Sequence, residues 1–154
     1  MAALTTVGIA RAWANAFRTD RTLIHWAQEH YGRPFSVSIG ADMRRPPEEG
    51  DAPFLALFPD AVETAAERSR NRHSLGIVAG IVDDAWTAES GIREMRGLLR
   101  LDGLWLQLQR AMDLALPGAK PQEPAVEYEL VQFPLVMLLI NVTVDESLPI
   151  GRRV

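Results

Sequence analysis

A chain of 154 residues with 47% apolar and 23% charged side chains carries enough apolar material for one buried core, which excludes wholesale disorder. Its lack of cysteine excludes disulfides, zinc ribbons, iron–sulfur clusters and a thiol nucleophile. A formal charge of −4 gives no general reason to expect nucleic-acid binding, and the single lysine, Lys120, among arginines reads as codon bias rather than function.

The opening Met1-Ala-Ala-Leu-Thr-Thr-Val-Gly8 has neither a basic region nor a compact apolar stretch, so no signal peptide is expected. Ile9, Trp13, Ala16 and Phe17 fall at helical spacing and predict one apolar stripe. Asp20 is a natural N-cap for a second stripe of Leu23, Ile24, Ala27 and Tyr31, which ends at Gly32, so the stretch reads as two short helices or one bent helix. Phe35 to Ile39 alternates apolar residues with serine and predicts a half-buried strand. Asp42 to Ala52, with Pro46-Pro47 and Gly50, reads as a loop. Pro53 to Phe58 predicts a second strand closed by Pro59-Asp60, and Ala61 to Arg72 a mobile loop or a short helix. Leu75 to Val82 is apolar on both faces, as in a strand central to its sheet.

Residues 84–101 fit either helix or strand. Asp102 then stands as an N-cap for a helix carrying Leu104, Leu108, Ala111, Met112 and Ala115, stopped by Pro117-Gly118. A proline-rich connection leads to a strand at Ala125 to Val131, with Glu127 and Glu129 on its wet face. A turn containing Pro134 leads to a last strand at Leu135 to Val144. The longest apolar run, Phe133 to Val144, is too short for a membrane helix, so a soluble, cytoplasmic protein is expected. The element order α(α)-β-β-β-α-β-β predicts one α+β domain over residues 1–154. It has a mainly antiparallel five-stranded sheet with helices on one face.

No catalytic constellation stands out. His25 and His30 are five apart, on different sides of a helix, and no zinc helix motif is present. His73 precedes Ser74 without a nucleophile elbow. Gly76 and Gly80 match no phosphate loop and suggest places where another backbone comes close; Asp83-Asp84 suits a turn and helix cap better than a metal. Arg68, Arg70 and Arg72 form a basic patch, either a solvated loop balanced by Glu63 and Glu67 or a surface that pairs with carboxylates or phosphate. Neither an enzymatic activity nor a cofactor is expected.

Several phrases together resemble the tail terminator, or tail completion, proteins of long-tailed bacteriophages, including the minor tail protein U type. They are His30-Tyr-Gly-Arg-Pro-Phe-Ser-Val-Ser-Ile39, the Pro46-Pro47-Glu-Glu-Gly-Asp51 loop, Pro53-Phe-Leu-Ala-Leu-Phe58 and His73-Ser-Leu-Gly-Ile-Val78. A helix closed by Pro117-Gly118 and a final strand pair complete the likeness, which spans about Ile9 to Asp145. The resemblance implies a virion protein of the tail–neck region, made in the host cytoplasm. Such a protein forms a ring, commonly a hexamer, that stops tube growth and meets the head connector. Its implied partners are further copies of itself, the tail tube protein and the connector, with DNA passing through without specific binding.

Within that expectation Leu135, Met137, Leu138 and Ile140 offer a surplus of apolar surface for a neighbouring subunit. Arg44, Arg45, Arg68, Arg70 and Arg72 are candidate assembly contacts on loops, and Glu127 and Glu129 are candidates to line or flank the lumen. The acidity is regional: residues 121–151 hold five carboxylates and no arginine or lysine. A head–tail joining protein is the neighbouring alternative, and a small enzyme or ligand-binding domain with its pocket between helix and sheet is the alternative from another class.

Overall fold

The computed structural model describes residues 4–64 and 70–147. Three helices lie on one side of a five-stranded sheet, and a small two-stranded hairpin stands apart, giving an α+β fold. Helix α1 (Thr6–Thr19) begins where the Thr5 side chain accepts a hydrogen bond from the Gly8 N–H. Helix α2 (Arg21–Tyr31) is capped by Asp20, whose carboxylate accepts from the Leu23 N–H, and ends at Gly32 with φ +72°, the left-handed conformation that favours glycine.

The sheet runs in the order β1 (Ser36–Ile39), β2 (Phe54–Glu63), β3 (Arg70–Val82), β7 (Leu135–Ser147), β6 (Pro121–Glu129). All pairings are antiparallel except β1 with β2, so the sheet is mixed. A parallel neighbour needs a long return, and the Gly40–Pro53 connection supplies it. As its pattern predicts, Leu75–Val82 is central: β3 is the middle strand of the five.

Four boundaries differ from expectation. Strand β2 does not stop at Pro59-Asp60. A register shift between Pro59 and Ala61 absorbs the proline, and Val62 and Glu63 pair with His73 and Arg72. Residues 61–63 and 70–72 are therefore the outer rungs of a hairpin, not a loop or helix; residues 65–69 lie outside the described part. Residues 86–95 form a second hairpin, β4 (Trp86–Glu89) with β5 (Ile92–Met95), turned by Ser90 and Gly91, both at positive φ. That is the geometry of a tight two-residue hairpin turn. Helix α3 (Arg96–Ala115) follows directly, so Asp102 is not its cap but an exposed residue on its second turn. The stretch 84–101 is thus first strand and then helix. Strand β6 likewise begins at Pro121, within the expected connection, with a bulge at Glu123.

Strand alternation sorts the sheet into two chemically different faces. Toward the helices point Leu55 and Leu57, Leu75 and Ile77, Val136, Leu138 and Ile140, all fully buried against Trp13, Phe17, Leu104 and Leu108. On the other face Phe54 pairs with Gly80 and Gly80 with Met137. The far end of the Phe54 ring lies over Gly80, and a β-carbon there would collide with its carbons. Gly80 is thus required by an aromatic ring rather than by an approaching backbone. Gly80→Ala should cost about 1–3 kcal/mol in chemical denaturation through overpacking, and an accompanying Phe54→Leu should recover part of it.

Candidate functional site

The side chains singled out from sequence fall into three separate places. Leu138 and Ile140 belong to the helix-side core, at 0% and 1% exposure, while Leu135 and Met137 close a smaller cluster with Ala52 and Phe54 on the other face. The expected surplus is not at these four positions. Strand β7 is an inner strand, so this chain's own helices and Phe54 cover its apolar residues. What remains half-covered is the neighbouring strip of that bare face, Phe58, Val78 and Leu139. They border a shallow depression of about 370 Å³ over Gly76 and Asn141.

Glu127 and Glu129 stand on this same bare face, across from Leu139 and Met137 in the β6–β7 register. Glu127 is exposed; Glu129 is half-buried and accepts from the Val131 N–H at 2.9 Å. Val126 and Tyr128 turn to the helix side, and the Tyr128 hydroxyl donates to the Asp102 carboxylate on α3.

The arginines divide. Arg44 is exposed and folds back on Asp42 in a two-pronged contact of 3.0 Å on each prong, and Arg45 is exposed. Arg72 on β3 donates to its register partner Asp145 on the neighbouring strand β7 at 3.0 Å. Arg70 is paired through its backbone to Ser147. Arg68 lies outside the described residues. The structure therefore places Arg70 and Arg72 on a strand and not on a loop.

Two polar clusters escaped the sequence reading. Next to the outer rungs of the β2–β3 hairpin His73, 1% exposed, is held between α1 and β7. Its Nδ1 is 2.9 Å from the Thr6 hydroxyl and its Nε2 3.2 Å from a Glu146 oxygen. Glu146 also accepts from the Asn71 side chain and the Leu4 N–H. One ring nitrogen thus meets a hydroxyl and the other a carboxylate, so both polar atoms of the buried ring are partnered. The order Thr–His–Glu is that of a hydrolytic triad, yet His73 and Glu146 are both buried and their hydrogen bonds are spent on holding three elements together. The signal was alternation: His73 shares its strand face with the core residues Leu75 and Ile77.

The second cluster centres on Asp83 at the exit of β3. Its carboxylate receives Arg96 at 2.8 and 3.0 Å, Arg100 at 3.3 Å and the Ala85 N–H at 2.9 Å. Burial alone would raise its pKa, but the Arg96 guanidinium and the Ala85 N–H outweigh that and hold the carboxyl below the usual 3.8. Asp20, bonded by Arg110 at 2.6 Å, is lowered in the same way against its own burial. Both carboxylates fix α3, the one to β3 and the other to the start of α2.

Among the described residues no group of three or more His, Asp or Glu side chains is placed to hold a metal ion. Nor, among them, is any helix long and apolar enough to cross a membrane. The space between helices and sheet is filled by Trp13, Phe17, Leu57, Ile77 and Leu108. No protein-family model matches the chain, and no curated protein does.

Leu138→Ala should lower stability by about 2–5 kcal/mol as a core truncation, read by denaturation of the isolated chain. Replacing Arg70 and Arg72 by Ala should leave the circular dichroism spectrum and a single cooperative unfolding transition in place, since the Arg72–Asp145 pair is partly exposed to solvent. Asp83→Asn leaves Arg96 and Arg100 without their charge partner and should cost about 3 kcal/mol at neutral pH. The folded-state pKa of Asp83 is depressed, so its contribution is present above the unfolded value and lost as pH falls through the folded one. The gap between wild type and Asp83→Asn should therefore close below about pH 4 in pH-dependent denaturation.

Proposed function

We propose that this chain is a structural protein that assembles with itself into a ring at the end of a phage tail tube, where it halts tube growth and presents a surface to the head connector. The reading is carried by the bare sheet face. A two-layer domain that lives alone covers such a face with polar side chains. Here Phe58, Val78 and Leu139 stand half-covered around a depression that is shallow among the described residues. Surface of this kind suits a protein partner. The resemblance to tail terminators in element order and loop phrases gives the partner its class.

Glu127 and Glu129, at the β6 margin of the bare face, fit the same reading. A carboxylate margin bordering the lumen repels the phosphates of passing DNA instead of holding them. The other polar clusters serve the fold: they join helices to strands and leave their charges spent.

The experiment is assembly itself. Light scattering and electron microscopy of the purified chain, alone and with its tail tube protein, should show rings and tubes of limited length capped by them. A chain that stays monomeric at every concentration and leaves tube growth unchanged overturns the proposal.

A further inference from the structure

The two ends of the sheet are unlike, and the difference is both chemical and geometric. At one end the edge strand β1 lies under α1. Between them runs a groove of about 350 Å³ lined by Arg11, Ala14, Arg18, Val37 and Ile39. Ile39 is 41% exposed, and both arginines are exposed at the groove's rim. At the other end the edge strand β6 lies under α3. There Leu99, Asp102, Leu106 and Asp113 recur at helical spacing along one side of α3, and all four are exposed, Leu106 by 66%. Tyr128 on β6, 49% exposed, ties this stripe to the strand through its hydroxyl on Asp102.

One end is thus an apolar groove rimmed by cations, and the other an apolar ridge studded with carboxylates. Among the described residues β1 and β6 are the two end strands of the sheet, each with a single neighbour. Two complementary patches at opposite ends of one molecule make a head-to-tail contact, and such contacts close into rings when the rotation allows.

We propose that the partner of each edge is the other edge of a second copy of this chain. The α3–β6 ridge of one copy seats Leu99 and Leu106 in the β1–α1 groove of the next, with Asp102 and Asp113 facing Arg11 and Arg18. The inference rests on the ring reading and adds the surfaces that build the ring. Charge complementarity selects a second copy over an unrelated occupant: the groove offers two exposed cations and the ridge two exposed carboxylates, while Arg110 on the same side of α3 is already paired with Asp20.

The test is a charge swap. Arg11→Glu/Arg18→Glu gives two acidic edges, and Asp102→Arg/Asp113→Arg gives two basic ones. Each variant, with its fold verified by circular dichroism, should raise the concentration needed for assembly at least tenfold in light scattering. A chain carrying all four changes should recover assembly, and an equimolar mixture of the two variants should assemble by alternation.

A second readout is independent of charge and uses the absence of native cysteine. Ile39→Cys/Leu106→Cys, treated with a short bis-maleimide, should give a ladder of covalent oligomers up to the ring, whereas either single variant gives dimers at most. If wild type forms rings while the swaps assemble normally and the double-cysteine chain yields no ladder, the edge pairing is wrong and the ring reading stands. If wild type itself forms no ring, with or without tube protein, both fall.

Discussion

The antiparallel pairing of β3 with β7 is the constraint on which the remaining architecture depends. Thirteen register partners run without a break from Arg70 opposite Ser147 to Val82 opposite Leu135. Both strands are inner strands, so their alternate residues must satisfy two environments at once. Leu75, Ile77 and Ile81 with Val136, Leu138 and Ile140 meet the helices, while Val78 and Gly80 with Met137 and Leu139 meet whatever covers the bare face. A slip of one residue would exchange these sets, sending the aliphatic core outward. The same pairing delivers His73 to Glu146 and Arg72 to Asp145, so the polar ties near the outer end of β3 follow from the apolar register further along the strand.

Around this spine the helices are fastened by charge as well as by packing. Asp20 is both the cap of α2 and the acceptor for Arg110 of α3; Asp83 ends β3 and gathers Arg96 and Arg100 from the first turns of α3. Each carboxylate therefore does local work on the backbone and long-range work between elements. The Asp83 site is the more demanding of the two, since its side chain is completely enclosed while its cations still reach solvent. Removing the acid leaves two cations facing one another, which costs more than the loss of a solvated pair.

Much of this was legible in the residues, and the failures have physical causes. Asp20 and Gly32 bracket α2 because capping is local chemistry, and the central place of Leu75–Val82 follows from its two apolar faces. The β4–β5 hairpin was also written locally, in Ser90-Gly91 between two short runs, but Trp86, Ile92 and Met95 mimic a helical stripe. Asp102 looked like a cap because the helix before it starts without one: Met95 offers no side-chain cap, and the chain enters α3 straight from a strand. The parallel partnership of β1 was hidden, since alternation reports a strand and not its direction. The site was harder still. Leu135 to Ile140 reads as surplus apolar surface until the helices and Phe54 are placed over it, and burial of that kind is decided by residues far off in the chain, Trp13, Phe54 and Leu104 among them. Edge chemistry, by contrast, combines Arg11 with Ile39 and Asp102 with Tyr128, pairs that only the folded chain brings together.

The hydrogen bond from the Leu4 N–H to Glu146 joins residues 142 positions apart. In polymer terms the described chain is nearly a closed circle, with its entrance and exit at one point on the surface. Domains of that kind tolerate having their ends joined and reopened elsewhere. A short linker across this point, with new ends cut in the exposed 41–46 segment between β1 and β2, would leave every rung of the sheet intact. By the same geometry copies can be strung in tandem on one polypeptide, each beginning where the last ended, so the number of subunits becomes a property of the gene.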